Sequence, residues 1–333
     1  MKNSDLKRRK ILRIIKDNGE ISRVSIAARL GVSKAAICDT VNQMIAEGLL
    51  TESGEAPNSC DKIKKGRRRI LLKINENYRF VVGMTVTQTF LNFGISTLGG
   101  KMLDSRTCEN DQISSGGKIS DFIVCQMRQL INDNCITEES LLGIGISFHP
   151  QCLHAVKDKS RFFNNIKKDV ELCFGCNVLC ADFVYSMAFM NIEFTPDLNV
   201  PVNNQLFLCI SDKLYLTVIR DRVPVEENTD RFDSYLVYDK MSDSYVSINS
   251  LISQSQYLMR EDDICILINN LLSVFEGFNM IIYSPDFTKK KADALGSMLI
   301  SRDKNINDHI LIYYQDRSGM FLGSCSMAVN KLL

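Results

Sequence analysis

The sequence predicts a multidomain α+β protein: a winged helix-turn-helix head over residues 1–75, then a larger α/β body over residues 76–333. Three observations predict it. Charge is segregated, because residues 1–75 hold 17 Lys and Arg against 8 Asp and Glu, the other 258 residues hold 23 against 31, and the whole chain carries only +1. Three helical patterns follow one another near the N-terminus, each stopped by a glycine. Beyond them, strand-like apolar runs begin at "YRFVVGMTVTQTFLNFGISTLGGKML", which reads as two strands and a turn.

The first pattern, "LKRRKILRIIKDNG", places Ile11, Ile14 and Ile15 on one face and stops at Gly19. The second, "SRVSIAARLG", starts at Ser22 as N-cap, buries Ile26, Ala27 and Leu30, and stops at Gly31. Only Val32 separates that glycine from a third start at Ser33. "SKAAICDTVNQMIAEG" then carries Ile37, Val41, Met44 and Ile45 as one apolar stripe. A short helix, a glycine turn and an amphipathic helix form the helix-turn-helix pattern.

The face of the third helix away from the stripe holds Ala35, Ala36, Asp39, Asn42 and Gln43, with Lys34 in the first turn. Solvated helix faces prefer Glu and Lys. Small and amide side chains let a helix approach base edges: Ala meets a thymine methyl, and Asn or Gln pairs with adenine. After Gly48, "LLTES" and "RILLKI" read as two short strands around a basic loop, a wing whose Lys64, Lys65, Arg67, Arg68 and Arg69 reach phosphates or a narrow minor groove. Ser22 and Arg23, at the start of the second helix, are expected against the DNA backbone together with Ser33.

A 45% apolar, 24% charged composition is ordinary for a soluble globular chain. No run approaches the ~18 apolar residues of a membrane span, so a cytoplasmic protein without a membrane partner is expected. Twelve cysteines lack regular spacing, and reduced thiols fit better than a disulfide framework. The cluster "CFGCNVLC" (Cys173, Cys176, Cys180) has no second Cys pair, and His149, His154 and His309 show no ligand spacing. These cysteines are read as small hydrophobes in an apolar strand, with no metal and no cofactor.

The segment "ISRVSIAARLGVSKAAICDTVNQMIAEGLLTESG" followed by "GRRRILLKIN" resembles the head of the ROK transcriptional regulators, the repressor branch of a family of repressors, open reading frames and sugar kinases. Asp39 stands where that family often has arginine, so an operator sequence does not carry over. The body is similar in fainter form. "LLGIGISFHP", "FFNNIKKDVELCFGCNVLCADFVYSMAFMNIEF" and "MFLGSCSMAVNKLL" resemble successive segments of the actin-like, ribonuclease H-like ROK domain. The resemblance implies two α/β lobes, 76–185 and 186–315, with the C-terminal helix returning to the first. It also lays the cysteine cluster along the strand entering Asp182.

Features of the family's sugar kinases are missing. Thr85, Thr87 and Gln88 occupy the place of the acidic glycine-rich phosphate turn, and "ISDKLYLTVI" replaces the second such turn. Side chains with Cβ atoms crowd a loop whose backbone must face phosphate. The zinc motif is absent too. By resemblance a sugar effector would meet Asn164 or Asn165 and Asp182, but Ala181 replaces an asparagine and "SYLVYDKMSD" offers no Glu or His. Weak or no hexose binding is expected, since each hydrogen bond contributes only about 0.5 to 1.5 kcal/mol net. Three classes stay open at this point. They are a non-catalytic regulator, probed as a repressor of carbohydrate metabolism; a sugar kinase with a DNA-binding head; and an architectural DNA-binding protein without effector. For the first, the expected partners are an inverted-repeat operator in double-stranded DNA and a second copy of the chain, as a homodimer or a dimer of dimers.

Overall fold

The computed structural model describes residues 3–55, 69–109, 119–153, 156–194, 203–225, 232, 234–239, 242–254, 261–284, 288–302, 309–313 and 317–333. The chain divides into two compact units, Met1–Phe80 and Val81–Leu332.

In the first unit, α1 (Asn3–Asn18), β1 (Ile21–Ser22), α2 (Arg23–Leu30) and α3 (Lys34–Ala46) precede β2 (Leu50–Glu55) and β3 (Ile70–Ile74). Both serines proposed as caps do that work: Ser22 Oγ accepts from Ser25 N–H and Ser33 Oγ from Ala36 N–H, each at 3.2 Å. Gly31, at φ 65°, turns left-handed and gives its N–H back to the Ala27 and Ala28 carbonyls. Only a residue without Cβ adopts that conformation freely, so the tight turn into α3 depends on it. Ile11, Ile15, Ile26, Ile37, Val41 and Met44 are fully buried and form the core. Leu30 and Ile45, expected in that core, are only half-buried because each lies at the margin of its helix stripe. The sheet has order β1-β3-β2, one strand more than the expected pair. Ile21 and Ser22 pair with Leu72 and Leu71.

In the second unit, β4 (Phe80–Val86), β5 (Phe90–Thr97) and β6 (Met102–Glu109) lead through α4 (Ile119–Asp133) to β7 (Leu141–Phe148). Then follow α5 (Pro150–Leu153), α6 (Lys159–Phe174), β8 (Val178–Asp182) and α7 (Phe183–Glu193). The sheet order is β6-β5-β4-β7-β8. The plan repeats with β9 (Gln205–Ile210), β10 (Leu214–Arg220) and β11 (Val223–Val225). A hairpin of β12 (Leu236–Asp239) and β13 (Ser244–Ser247), with α8 (Ile248–Gln254) and α9 (Glu261–Val274), leads to β14 (Asn279–Tyr283). After α10 (Lys289–Arg302), β15 (Ile310–Tyr313) completes a sheet of order β11-β10-β9-β14-β15, and α11 (Leu322–Leu332) ends the chain. Each sheet thus has its first three strands side by side and its fourth and fifth on the other flank of the first. β7 and β8 are parallel, as are β9, β14 and β15.

Two helices tie this body together. On α7, Phe183, Met187, Ala188 and Met190 are buried in one cluster with Phe207 and Cys209 of β9 and with Ile281 and Tyr283 of β14. α11 packs against the first sheet, where Ser324 Oγ donates to the Met84 carbonyl at 2.9 Å. A Cβ on Gly145 would stand 2.0 Å from the Ser324 carbonyl oxygen, so the helix backbone lies directly on β7.

The cysteine cluster departs from expectation. α6 continues to Phe174 and is capped by Gly175, which puts exposed Cys173 on the helix and Cys176 in the connection; only Cys180 lies on β8. Burial first of all pushes the Cys180 thiol up to about 12 and the Cys176 thiol up to about 11, the opposite of a reactive or ligating thiolate. Among the described residues no group of three His, Cys, Asp or Glu side chains is placed to hold a metal, and no helix is long and apolar enough to cross a membrane.

Candidate nucleic-acid interface

The apolar stripe of α3 is turned into the first unit, which leaves the opposite face in solvent. Ser33, Lys34, Ala35, Ala36, Asp39, Asn42 and Gln43 are all exposed. Both termini of the helix are held by α1: Lys7 Nζ donates to the Ala36 carbonyl, and Arg8 makes a two-pronged ion pair with Glu47. The hydrogen bond from Arg8 holds the Glu47 carboxyl below its ordinary range. The exposed face is therefore carried on a helix fixed at both ends.

Ser22 and Arg23 do different things. Ser22 is 4% exposed and its hydroxyl is spent on Ser25, so its side chain is a cap and is withdrawn from the surface where a backbone contact was expected. The reason is the short strand β1, which draws Ser22 into the sheet. The Arg23 side chain reaches across to α3 and the wing: Nη2 donates to Asn42 Oδ1 at 3.3 Å and to Glu52 Oε1 at 3.0 Å. Arg69 precedes β3 and is exposed. Lys64, Lys65, Arg67 and Arg68 lie outside the described residues.

Sequence reasoning missed Glu52, Lys7 and Arg8. The α1 cations had been counted only as net charge. Glu52 alternates with Thr51 and Ser53 along an edge strand, a pattern that reads as solvated, and nothing local signals a partner 29 positions away.

The candidate ligand residues of the body lie on separate elements, α6 and the end of β8. Asn164 and Asn165 are exposed on α6. Asp182 is the N-cap of α7, its Oδ1 accepting from Val184 N–H at 2.8 Å. Near the end of β4, Thr85 is fully buried; its hydroxyl bonds to Ser147 at 3.0 Å and donates to the Met320 carbonyl at 3.1 Å. Thr87 Oγ1 donates to the Phe90 carbonyl at 2.7 Å and accepts the Phe90 N–H at 3.0 Å. Gln88 donates to the Gln151 carbonyl at 3.4 Å. Past β9, Ser211 Oγ lies 3.2 Å from Nε2 of His149, a residue that is itself 4% exposed. The hydroxyl of Tyr215 donates to the Asp212 carboxylate, and burial drives its pKa far above the ordinary tyrosine range. Thr85, Thr87, Ser211 and Tyr215 thus direct their polar groups to partners within the protein.

The fold and the exposed α3 define the class: a winged helix-turn-helix protein carrying a duplicated α/β body. Residues 4–51 match the winged helix-turn-helix DNA-binding family. A solved ROK family transcriptional regulator, a homologue of the E. coli MLC protein, is similar over 98% of this chain and 96% of its own, with a TM-score of 0.63 at 13% identity. The inorganic polyphosphate/ATP-glucomannokinase of Arthrobacter sp. strain KM covers 75% of this chain and 98% of its own, with a TM-score of 0.52 at 12% identity. In sequence, the xylose repressor of Staphylococcus xylosus is 27% identical over 147 residues, 42% of this chain. That match spans about a third of the relative, 35% of its length. The body fold is therefore shared with a solved regulator and a solved sugar kinase.

Proposed function

We propose that this protein is a sequence-specific DNA-binding transcriptional repressor of carbohydrate metabolism whose body is a non-catalytic domain for dimerisation and effector sensing. The observation that carries this reading is the exposed face of α3, where short and amide side chains stand free of the core on a helix anchored at both ends. In this reading α3 enters the major groove, Arg23 and Ser33 face the backbone, and the wing cations, Arg69 among them, meet phosphate or minor groove. Two heads linked by their bodies bind an inverted repeat whose half-sites lie about one or two turns apart, each roughly 10.5 bp. Linking the heads makes the second contact intramolecular and raises affinity without new contacts.

The non-catalytic reading is supported by the inward commitments of Thr85 and Thr87 and by the capping role of Asp182. The cap fixes the Asp182 carboxylate by one oxygen at the start of α7. The xylose repressor relative makes xylose the first sugar to test, but the few polar groups at Asn164, Asn165 and Asp182 support weak or no binding of xylose, glucose or N-acetylglucosamine.

A gel-shift titration with DNA flanking the protein's own gene tests the reading. It predicts a complex that survives excess unrelated DNA. Equal affinity for all DNA would instead establish the architectural alternative, and ATP-dependent phosphorylation of a hexose by the purified protein would establish the kinase.

A further inference from the structure

Arg23, Asn42 and Glu52 come from three different elements, α2, α3 and β2, and meet at one nitrogen. Nη2 of Arg23 carries two hydrogens and has two acceptors, Asn42 Oδ1 at 3.3 Å and Glu52 Oε1 at 3.0 Å. The ion pair with Glu52 is partly shielded, with the Arg23 side chain 17% exposed and that of Glu52 44%.

A guanidinium has donors only, so the atom of Asn42 that faces it is the oxygen. The carboxamide is thereby oriented. One of the two lone pairs of its oxygen is engaged by Arg23, and its NH2 group, at the other end of this exposed side chain, has no hydrogen-bond partner among the described residues. Asparagine pairs with adenine by using both ends, accepting from N6 and donating to N7. With the oxygen end held towards Arg23, the donor end is the one left to meet a base. Guanine presents two acceptors, O6 and N7, at the same edge, whereas adenine places its N6 donor beside N7. The donor of Asn42 fits the first and is opposed by the second.

We propose that Arg23, anchored by Glu52, is a positioning residue that fixes the Asn42 carboxamide with its NH2 group presented to the DNA, so that Asn42 selects guanine over adenine. This inference rests on the DNA-binding reading above and deepens it. It corrects the pairing of this asparagine with adenine that its residue type alone suggests. Glu52 has a double part: it holds Arg23 against α3, and its negative charge is neutralised there beside a surface that faces phosphate.

Selection of bound DNA from a randomised pool, followed by sequencing, tests it with the full-length protein. The wild type is expected to enrich guanine at one position of each half-site, and Asn42→Ala is expected to remove the preference at that position alone. Arg23→Ala frees the carboxamide to use both ends, and the guanine-to-adenine ratio there should fall about tenfold. Glu52→Ala should move the ratio the same way, by less, while keeping the Arg23 charge; that variant separates positioning from phosphate attraction. If Arg23→Ala weakens binding to all sequences and leaves the base ratio unchanged, Arg23 is only a phosphate contact and the inference is wrong. Adenine at the Asn42-dependent position in the wild-type selection would also overturn it. A wild-type protein that enriches no sequence at all would overturn the DNA-binding reading and this inference together.

Discussion

On α3, Lys34, Asp39, Asn42 and Gln43 stand in solvent on a helix pinned by Lys7 and Arg8, whereas in and just after β4 Thr85 and Thr87 spend their hydroxyls on Ser147, Met320 and Phe90. Residue types alone do not separate these two places, since both are rich in small polar side chains. Availability does. A polar group already satisfied by its own protein gains little from a ligand, because binding exchanges one hydrogen bond for another. A polar group held in solvent by a rigid helix exchanges water for ligand at little cost in ordering.

The largest effect should follow from breaking what holds the exposed face in place. Ile37 is fully buried beneath α3, and Ile37→Ala should cost about 2–5 kcal/mol of unfolding free energy and abolish DNA binding, read by thermal melting and gel shift. Removing the face itself should do the reverse. Asn42→Ala and Gln43→Ala should each cost about 1–3 kcal/mol of base discrimination while melting stays within about 0.5 kcal/mol of wild type.

Smaller changes sharpen the contrast with the body. Asp182→Ala removes the cap of α7 and should lower stability by about 1 kcal/mol in chemical denaturation with no change in DNA affinity. The smallest effect belongs to Glu47. Its carboxyl is held below the ordinary range by Arg8, so the stabilisation is complete above the unfolded-state value of about 4.3 and is lost as pH falls through the lower folded-state value. The pair is partly exposed, and Glu47→Gln should cost only about 0.2–1 kcal/mol at neutral pH and nothing in strong acid. Urea titrations at both pH values check the sign.

Much of the head was legible in the sequence because each boundary is set locally. Ser22 and Ser33 cap the next helix, Gly31 supplies the left-handed turn, and the spacing of Ile37, Val41 and Met44 identifies the buried face without tertiary knowledge. β1 was not legible, since two residues carry no alternation and the strand exists only because β3 pairs with it. The tether of Arg23 was hidden for the same reason: its acceptors lie 19 and 29 positions away. In the body, the strand entering Asp182 starts only at Val178, later than the cysteine run suggests. The apolar run through Phe174 continues a helix whose end is marked by Gly175, and a short apolar run does not by itself distinguish helix from strand. The side-chain commitment at Thr85 needs the fold, because Ser147 and Met320 lie 62 and 235 positions away.

The most direct test of the central claim is a competition titration that compares the full-length protein's affinity for its selected DNA sequence with that for a scrambled sequence at physiological salt. Recognition by the exposed face of α3 predicts a preference of about 10³ or more, collapsing in the Asn42→Ala, Gln43→Ala double variant while the salt dependence persists. Equal affinity for both sequences, or a preference that survives the double variant unchanged, would contradict it.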